Sequence, residues 1–136
     1  MKMIIDQFPQ LIVHKDLEIG QLLQIVYMKV NCLPNSNILG LLDNIGAEVD
    51  KILHNTSPIY EDEVKKARNI GAKVNVVSRL IEIFNIGALI LDEIQLLDFS
   101  ANKEATFESI LAITNNTKVS VIAIGTEDAH GKMFPN

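Results

Sequence analysis

The chain has 136 residues, 48% of them hydrophobic, enough for one well-cored domain and too few for two comfortable ones. Twelve Lys and Arg against seventeen Asp and Glu leave a net charge of -5, the wrong sign for a self-sufficient nucleic-acid-binding module, so any such contact has to be local. With no Trp, two Tyr and five Phe, the core must be built from Ile, Leu and Val, which favours layered α/β packing.

The stretch QLIVHKDLEIGQLLQIVYMKVNC reads as two extended segments, about 10 to 14 and 22 to 32, joined by a charged turn containing Gly20. The second is the stronger, with Ile25, Val26, Tyr27, Met28 and Val30 in a nearly continuous apolar run. It ends at NCLPNSN, where Pro34 breaks the strand and Asn35, Ser36 or Asn37 can cap a helix. Cys32 is alone, so no intramolecular disulfide can form, and no basic and apolar leader opens the chain; a cytoplasmic setting is the expectation. No run approaches the roughly 18 to 20 apolar residues needed to span a bilayer, so no membrane contact is expected. His14, His54 and His130 are scattered, which gives no sequence support for a metal site of His or Cys type.

From Ile38 to His54 the apolar residues Ile38, Leu41, Leu42, Ile45, Val49, Ile52 and Leu53 recur at steps of three and four, the pattern of an amphipathic helix. NTSPIYEDEV then offers Ser57 as a cap, Pro58 at the first helical position and acids in the first turn of a second, longer helix. Its buried stripe is predicted to use Val64, Ala67, Val74, Val77, Ile81 and Phe84, with Gly71 weakening its middle and Gly87 just past its end. Lys65, Lys66, Arg68, Lys73 and Arg79 make the best basic cluster, read here as a solvated helix face rather than a nucleic-acid contact.

Ala88, Leu89, Ile90 and Leu91 form a short apolar run between a glycine and two acids, as expected of a parallel strand covered on both faces. Phe107, Ile110, Leu111 and Thr114 mark one face of a further helix closing at Asn115 and Asn116, and residues 119 to 124 read as another buried strand. This order is that of a doubly wound α/β layer, whose ligands gather beyond the carboxyl ends of the strands, where Asp92, Glu93, Gly125 and Thr126 fall. There Asp92 can organise a magnesium-water shell and Glu93 can polarise an attacking water, in the manner of a Walker B strand. The bland alternatives are that the acids cap the next turn and that Thr126 caps a helix over EDAHGKM.

Taken together and in order, FPQLIVHKDLEIGQLLQIVYMKVNC, IGALILDEIQLL and VSVIAIGTEDA resemble the transposon-encoded AAA+ ATPases of the TnsC and TniB kind, over about residues 8 to 129. The resemblance implies a three-layer P-loop NTPase-like parallel sheet with flanking helices and an N-terminal extended hairpin. It also implies Asp92 and Glu93 as the Walker B acids, with Asp92 toward magnesium and Glu93 catalytic, and Thr126 in the position that senses the terminal phosphate of ATP. Gln95 matches the D-E-I-Q tetrad without an assigned chemistry. Homo-oligomer assembly on DNA under ATP control, and contact with a transposase or targeting protein, are the partners it implies.

The phosphate loop G-x-x-x-x-G-K followed by Ser or Thr is absent from the sequence. GTEDAHGKM follows a strand, but five residues separate Gly125 from Gly131, Met133 follows Lys132, and Glu127 and Asp128 oppose phosphate; it reads as a sensor turn and tail. The chain is therefore expected to be a single partial domain over 1 to 136, lacking the family's upstream phosphate loop and downstream lid, and inactive alone. Without the phosphate-loop strand beside it, the strand at 119 to 124 is expected to form an apolar edge through which copies pair. The alternative is a non-catalytic α/β interaction or oligomerisation module with a degenerate nucleotide site, and a third reading is an unrelated α/β enzyme using the same two acids.

Overall fold

The computed structural model describes residues 7–16, 18, 20–34, 36–97 and 103–126. Two sheets share these residues. Strands β1 (Leu11–Asp16) and β2 (Gly20–Ile25) pair antiparallel as a hairpin, whereas β3 (Tyr27–Asn31), β4 (Ala88–Asp92) and β5 (Ser120–Ala123) form a parallel sheet in the order β3-β4-β5.

The single strand expected over 22 to 32 is thus two strands in different sheets, broken at Val26. The backbone hydrogen bonds explain the break. Ile25 N donates to Phe84 O at 2.8 Å and Val26 N to Gln10 O at 2.8 Å, while the Ile25 and Val26 carbonyls accept from Gly87 N and Ala88 N. The chain is handed from the hairpin to the parallel sheet at this residue, and a Cβ on Gly87 would lie 2.8 Å from the Val26 carbonyl oxygen. Close approach of these two backbones is what Gly87 provides. The left-handed position ending the preceding helix belongs to Asn85, at φ 48.

Helix α1 (Ile38–Ile52) follows the expected stripe, and Asn37 caps it by accepting from Gly40 N at 3.1 Å. The longer helix predicted from Pro58 to Phe84 is two, α2 (Ile59–Lys66) and α3 (Ile70–Ile83). Ala67 is extended, and Asn69 restarts the helix by accepting from Ala72 N at 2.8 Å; Gly71 therefore sits in a first turn, not mid-helix. Nor does Ser57 cap α2. The Asp50 carboxylate, from the end of α1, accepts from the backbone N–H groups of Ile59, Tyr60 and Glu61 and from Asn55 Nδ2. An anion placed at the three free donors of a helix start satisfies both their hydrogen bonds and the helix dipole.

Helix α4 (Lys103–Asn116) has the expected length but a rotated face: Thr106, Ser109 and Ile113 are buried, and Leu111 is 59% exposed. Two parallel crossovers advancing the same way across a sheet place their helices on one face. Accordingly α1 and α4 meet Leu89, Leu91 and Val121, and α3 packs against both helices. The core lies between, around Met28, Val30, Leu42, Ile45, Val77 and Leu89. The α/β class and the parallel sheet with flanking helices are as expected, and the architecture is compatible with a P-loop-like fold. Among the described residues the helices shown to meet the sheet, α1 and α4, do so on one face, at Leu89, Leu91 and Val121. Strand β5 is not buried on both faces: it ends the described sheet, and Ile122 is 40% exposed.

Candidate functional site at the carboxyl edge of the parallel sheet

Alternation along β3 puts Met28 and Val30 under the helices and turns Tyr27, Lys29 and Asn31 to the other face. The in-register partners on β4 put Ile90 and Asp92 on that same face, with Asp92 beside Asn31 at the carboxyl edge. Lys29 Nζ lies 3.1 Å from Asp92 Oδ2, and Asp92 Oδ1 accepts from Glu93 N at 2.9 Å, so both carboxylate oxygens are engaged. Glu93 itself is exposed and left-handed, φ 58 and ψ 42, and its carboxylate accepts from Gln95 Nε2. For a non-glycine residue that conformation is uncommon, and such residues cluster at functional turns.

The turn is stapled on both sides. The short 3-10 helix Ile94–Leu96 begins with Ile94 N donating to Ile124 O at 3.0 Å, while Ile124 N donates to Leu91 O at 2.8 Å. Cys32 N donates to the Asp92 carbonyl at 2.9 Å. The Cys32 thiol is buried, and that burial, reinforced by the negative charges of Asp92 and Glu93, pushes it up to about 11. Cys32 is accordingly a protonated core thiol beside the site, not a nucleophile in it.

Thr126 stands two residues beyond Ile124, exposed, at the carboxyl end of the neighbouring strand. The structure thus gathers all three expected residues at one edge. Asp92 and Glu93 are adjacent, but no hydrogen bond joins Thr126 to either acid among the described residues. The helix that Thr126 was expected to cap, and the GTEDAHGKM tail from Glu127 on, lie outside the described residues. Sequence reading overlooked Lys29, Asn31 and Cys32; the period-two pattern of YMKVN was the signal that could have placed Lys29 and Asn31 beside the acids.

A magnesium ion generally takes one or two protein carboxylates and completes its shell with water and phosphate oxygens. Asp92 is the residue expected in that limited role, and here its two oxygens are engaged by Lys29 Nζ and Glu93 N. A protein-only metal cage does not fit, since no group of three His, Cys, Asp or Glu converges among the described residues. The basic cluster is largely neutralised: Lys65 pairs with Glu61, Arg79 with Glu63, and Lys73, buried, with Asp43 and the Val64 carbonyl, leaving Lys66 and Arg68 exposed.

An α/β domain with adjacent carboxylates at the carboxyl end of the central strand of a parallel sheet is compatible with a P-loop-like fold. The model of the family described as bacterial TniB protein matches residues 3–133, and the chain belongs to that family. Membership connects it with transposition and with its ATPase-type regulators. No curated protein matches the chain. No described helix is long and apolar enough to cross a membrane.

Proposed function

We propose that the chain is the central part of an AAA+ transposition regulator, in which ATP binding and hydrolysis are coupled to oligomer assembly on target DNA and to recruitment of a transposase. The observation that carries this reading is the placement of Asp92 and Glu93 at the carboxyl end of the central strand of a chain in the TniB family. Asp92, whose oxygens meet Lys29 Nζ and Glu93 N, would hold the magnesium that accompanies the nucleotide. Glu93 projects from its left-handed turn with its carboxylate steadied by Gln95, the arrangement of a base that polarises a water. Thr126 would contribute a hydroxyl from the adjacent strand end for sensing the terminal phosphate. Magnesium, when bound, would neutralise the phosphate charge that builds up during transfer.

This reading requires a phosphate-binding loop from outside these residues, because the 136 contain none. Calorimetric titration of the chain with ATP and magnesium tests it directly. No heat of binding is expected; clear micromolar binding overturns the rejection of a phosphate site here. In a protein that supplies the loop, Glu93→Gln is expected to retain ATP binding and lose turnover. Undiminished turnover removes Glu93 from its role.

The second reading is a non-catalytic interaction or oligomerisation module. It is favoured by one specific observation: Lys29 and the Glu93 N–H already occupy both Asp92 oxygens, as in a site that needs no cation.

A further inference from the structure

Lys29 and Asp92 are the one base and the one acid on the face of the described sheet turned away from α1 and α4; the other described side chains of β3, β4 and β5 on that face are uncharged. In register, Lys29 stands opposite Ile90, and Asp92 follows on the same face two residues nearer the carboxyl edge, about 6.6 Å along the strand. A four-carbon stem spans that step, and Lys29 Nζ reaches Asp92 Oδ2 at 3.1 Å.

Charge at this edge is therefore matched one to one. The neighbouring acid, Glu93, accepts from Gln95 Nε2, and its backbone N–H takes Asp92 Oδ1, so the second Asp92 oxygen is the one that Lys29 meets. A divalent ion seated there would share the carboxylate with an ammonium a few ångströms away, and like charges at such spacing repel even in a water-like dielectric. The pair is also one that can open. The Lys29 side chain is 39% exposed and that of Asp92 22%, and ion pairs with such access to water are weakly held. The chain's firm pair is a different one: Lys73, buried, meets both Asp43 and the Val64 carbonyl. A full positive charge where a metal would sit, loosely held, suits a displaceable stand-in rather than a structural clamp.

We propose that Lys29 is the resident cation of the carboxyl edge, and that a divalent ion reaches Asp92 only by displacing its ammonium. The inference rests on the reading of Asp92 as the acid that faces the metal; it makes Lys29 a positioning residue, which sets metal affinity through Asp92.

Amide-resolved NMR titration of the whole chain with manganese(II), whose unpaired electrons broaden nearby resonances, tests it without nucleotide. Saturable broadening at Asn31, Asp92 and Glu93 is expected in Lys29→Met at about tenfold lower metal concentration than in the parent chain, the effect of removing one positive charge a few ångströms from a divalent ion. Lys29→Gln is expected to repeat the gain, so the result does not hang on the folding of one variant. Lys29→Arg keeps the charge and is expected to stay within about threefold of the parent. Lys66→Met makes the same change of net charge at an exposed position on α2 and is expected to stay within about twofold. Adding Asp92→Asn to Lys29→Met is expected to abolish the broadening. No localised broadening in any variant, equal affinity in the parent and Lys29→Met, an equal gain in Lys29→Arg or Lys66→Met, or broadening that survives Asp92→Asn each overturn the proposal. Undiminished ATP turnover in Glu93→Gln would remove the hydrolytic reading and leave this result standing, because manganese is offered here without ATP.

Discussion

Asp50 shows how much one side chain can organise. Burial works to raise its carboxyl, but the hydrogen bonds from Glu61 N, Asn55, Tyr60 N and Ile59 N outweigh it and hold the group below the usual carboxylate range. A depressed carboxyl stabilises the fold above its unfolded value, near 3.9, and that contribution disappears as the pH falls through the folded value. Asp50→Asn is therefore expected to cost about 2 to 3 kcal/mol at neutral pH, with the gap to the parent protein closing below about pH 4 in thermal melts. Glu93 is expected to behave oppositely. It is exposed, so Glu93→Gln should leave the melting temperature nearly unchanged, and a large drop would mark Glu93 as structural. Cys32, protonated and buried, is expected to resist iodoacetamide at pH 8 until the protein is unfolded in denaturant; rapid labelling of the native chain would contradict the burial seen here.

Elements were legible where periodicity alone decides them. The stripe from Ile38 to His54 gave α1 to within two residues, and the run from Ala88 to Leu91 gave β4 and hence the position of Asp92. The misses share a cause: a partner distant in sequence took over. Local capping pointed to Ser57, but Asp50 reaches across the turn; apolar continuity through Val26 concealed a change of sheet set by Gln10 and Gly87. On α4 the apolar residues pointed to Leu111, whereas the buried face includes Thr106 and Ser109, whose hydroxyls carry no hydrophobic signal; Ser109 Oγ bonds back to the Ala105 carbonyl. The junction of α1 and α2 has its own test. A Cβ on Gly46 would lie 2.7 Å from the Tyr60 carbonyl oxygen and 3.0 Å from Glu61 Cα, so Gly46→Ala is expected to destabilise by about 1 to 3 kcal/mol in urea titrations. An unchanged midpoint would mean that the two helices can part without cost.

At the scale of the whole molecule, the site is a property of strand order, which no local pattern reports: Lys29 meets Asp92 only because β3 lies next to β4. The described sheet also ends at β5, a four-residue strand without charge or proline to guard its outer edge. Copies of the chain are expected to associate through it, and Ile122→Lys to suppress that association; light scattering that shows a clean monomer at micromolar concentration would refute this. The helices α1, α2 and α3 all lie between β3 and β4 in the chain, and Asp50 fastens α1 to α2 across only about ten residues. Contacts that close short loops form sooner than pairings that must enclose a long insert. The helical unit should thus assemble before β3 finds β4, and Asp50→Asn should slow refolding in stopped-flow measurements more than it speeds unfolding. The carboxylate that joins two helices then also sets the pace at which Asp92 and Glu93 acquire their neighbours.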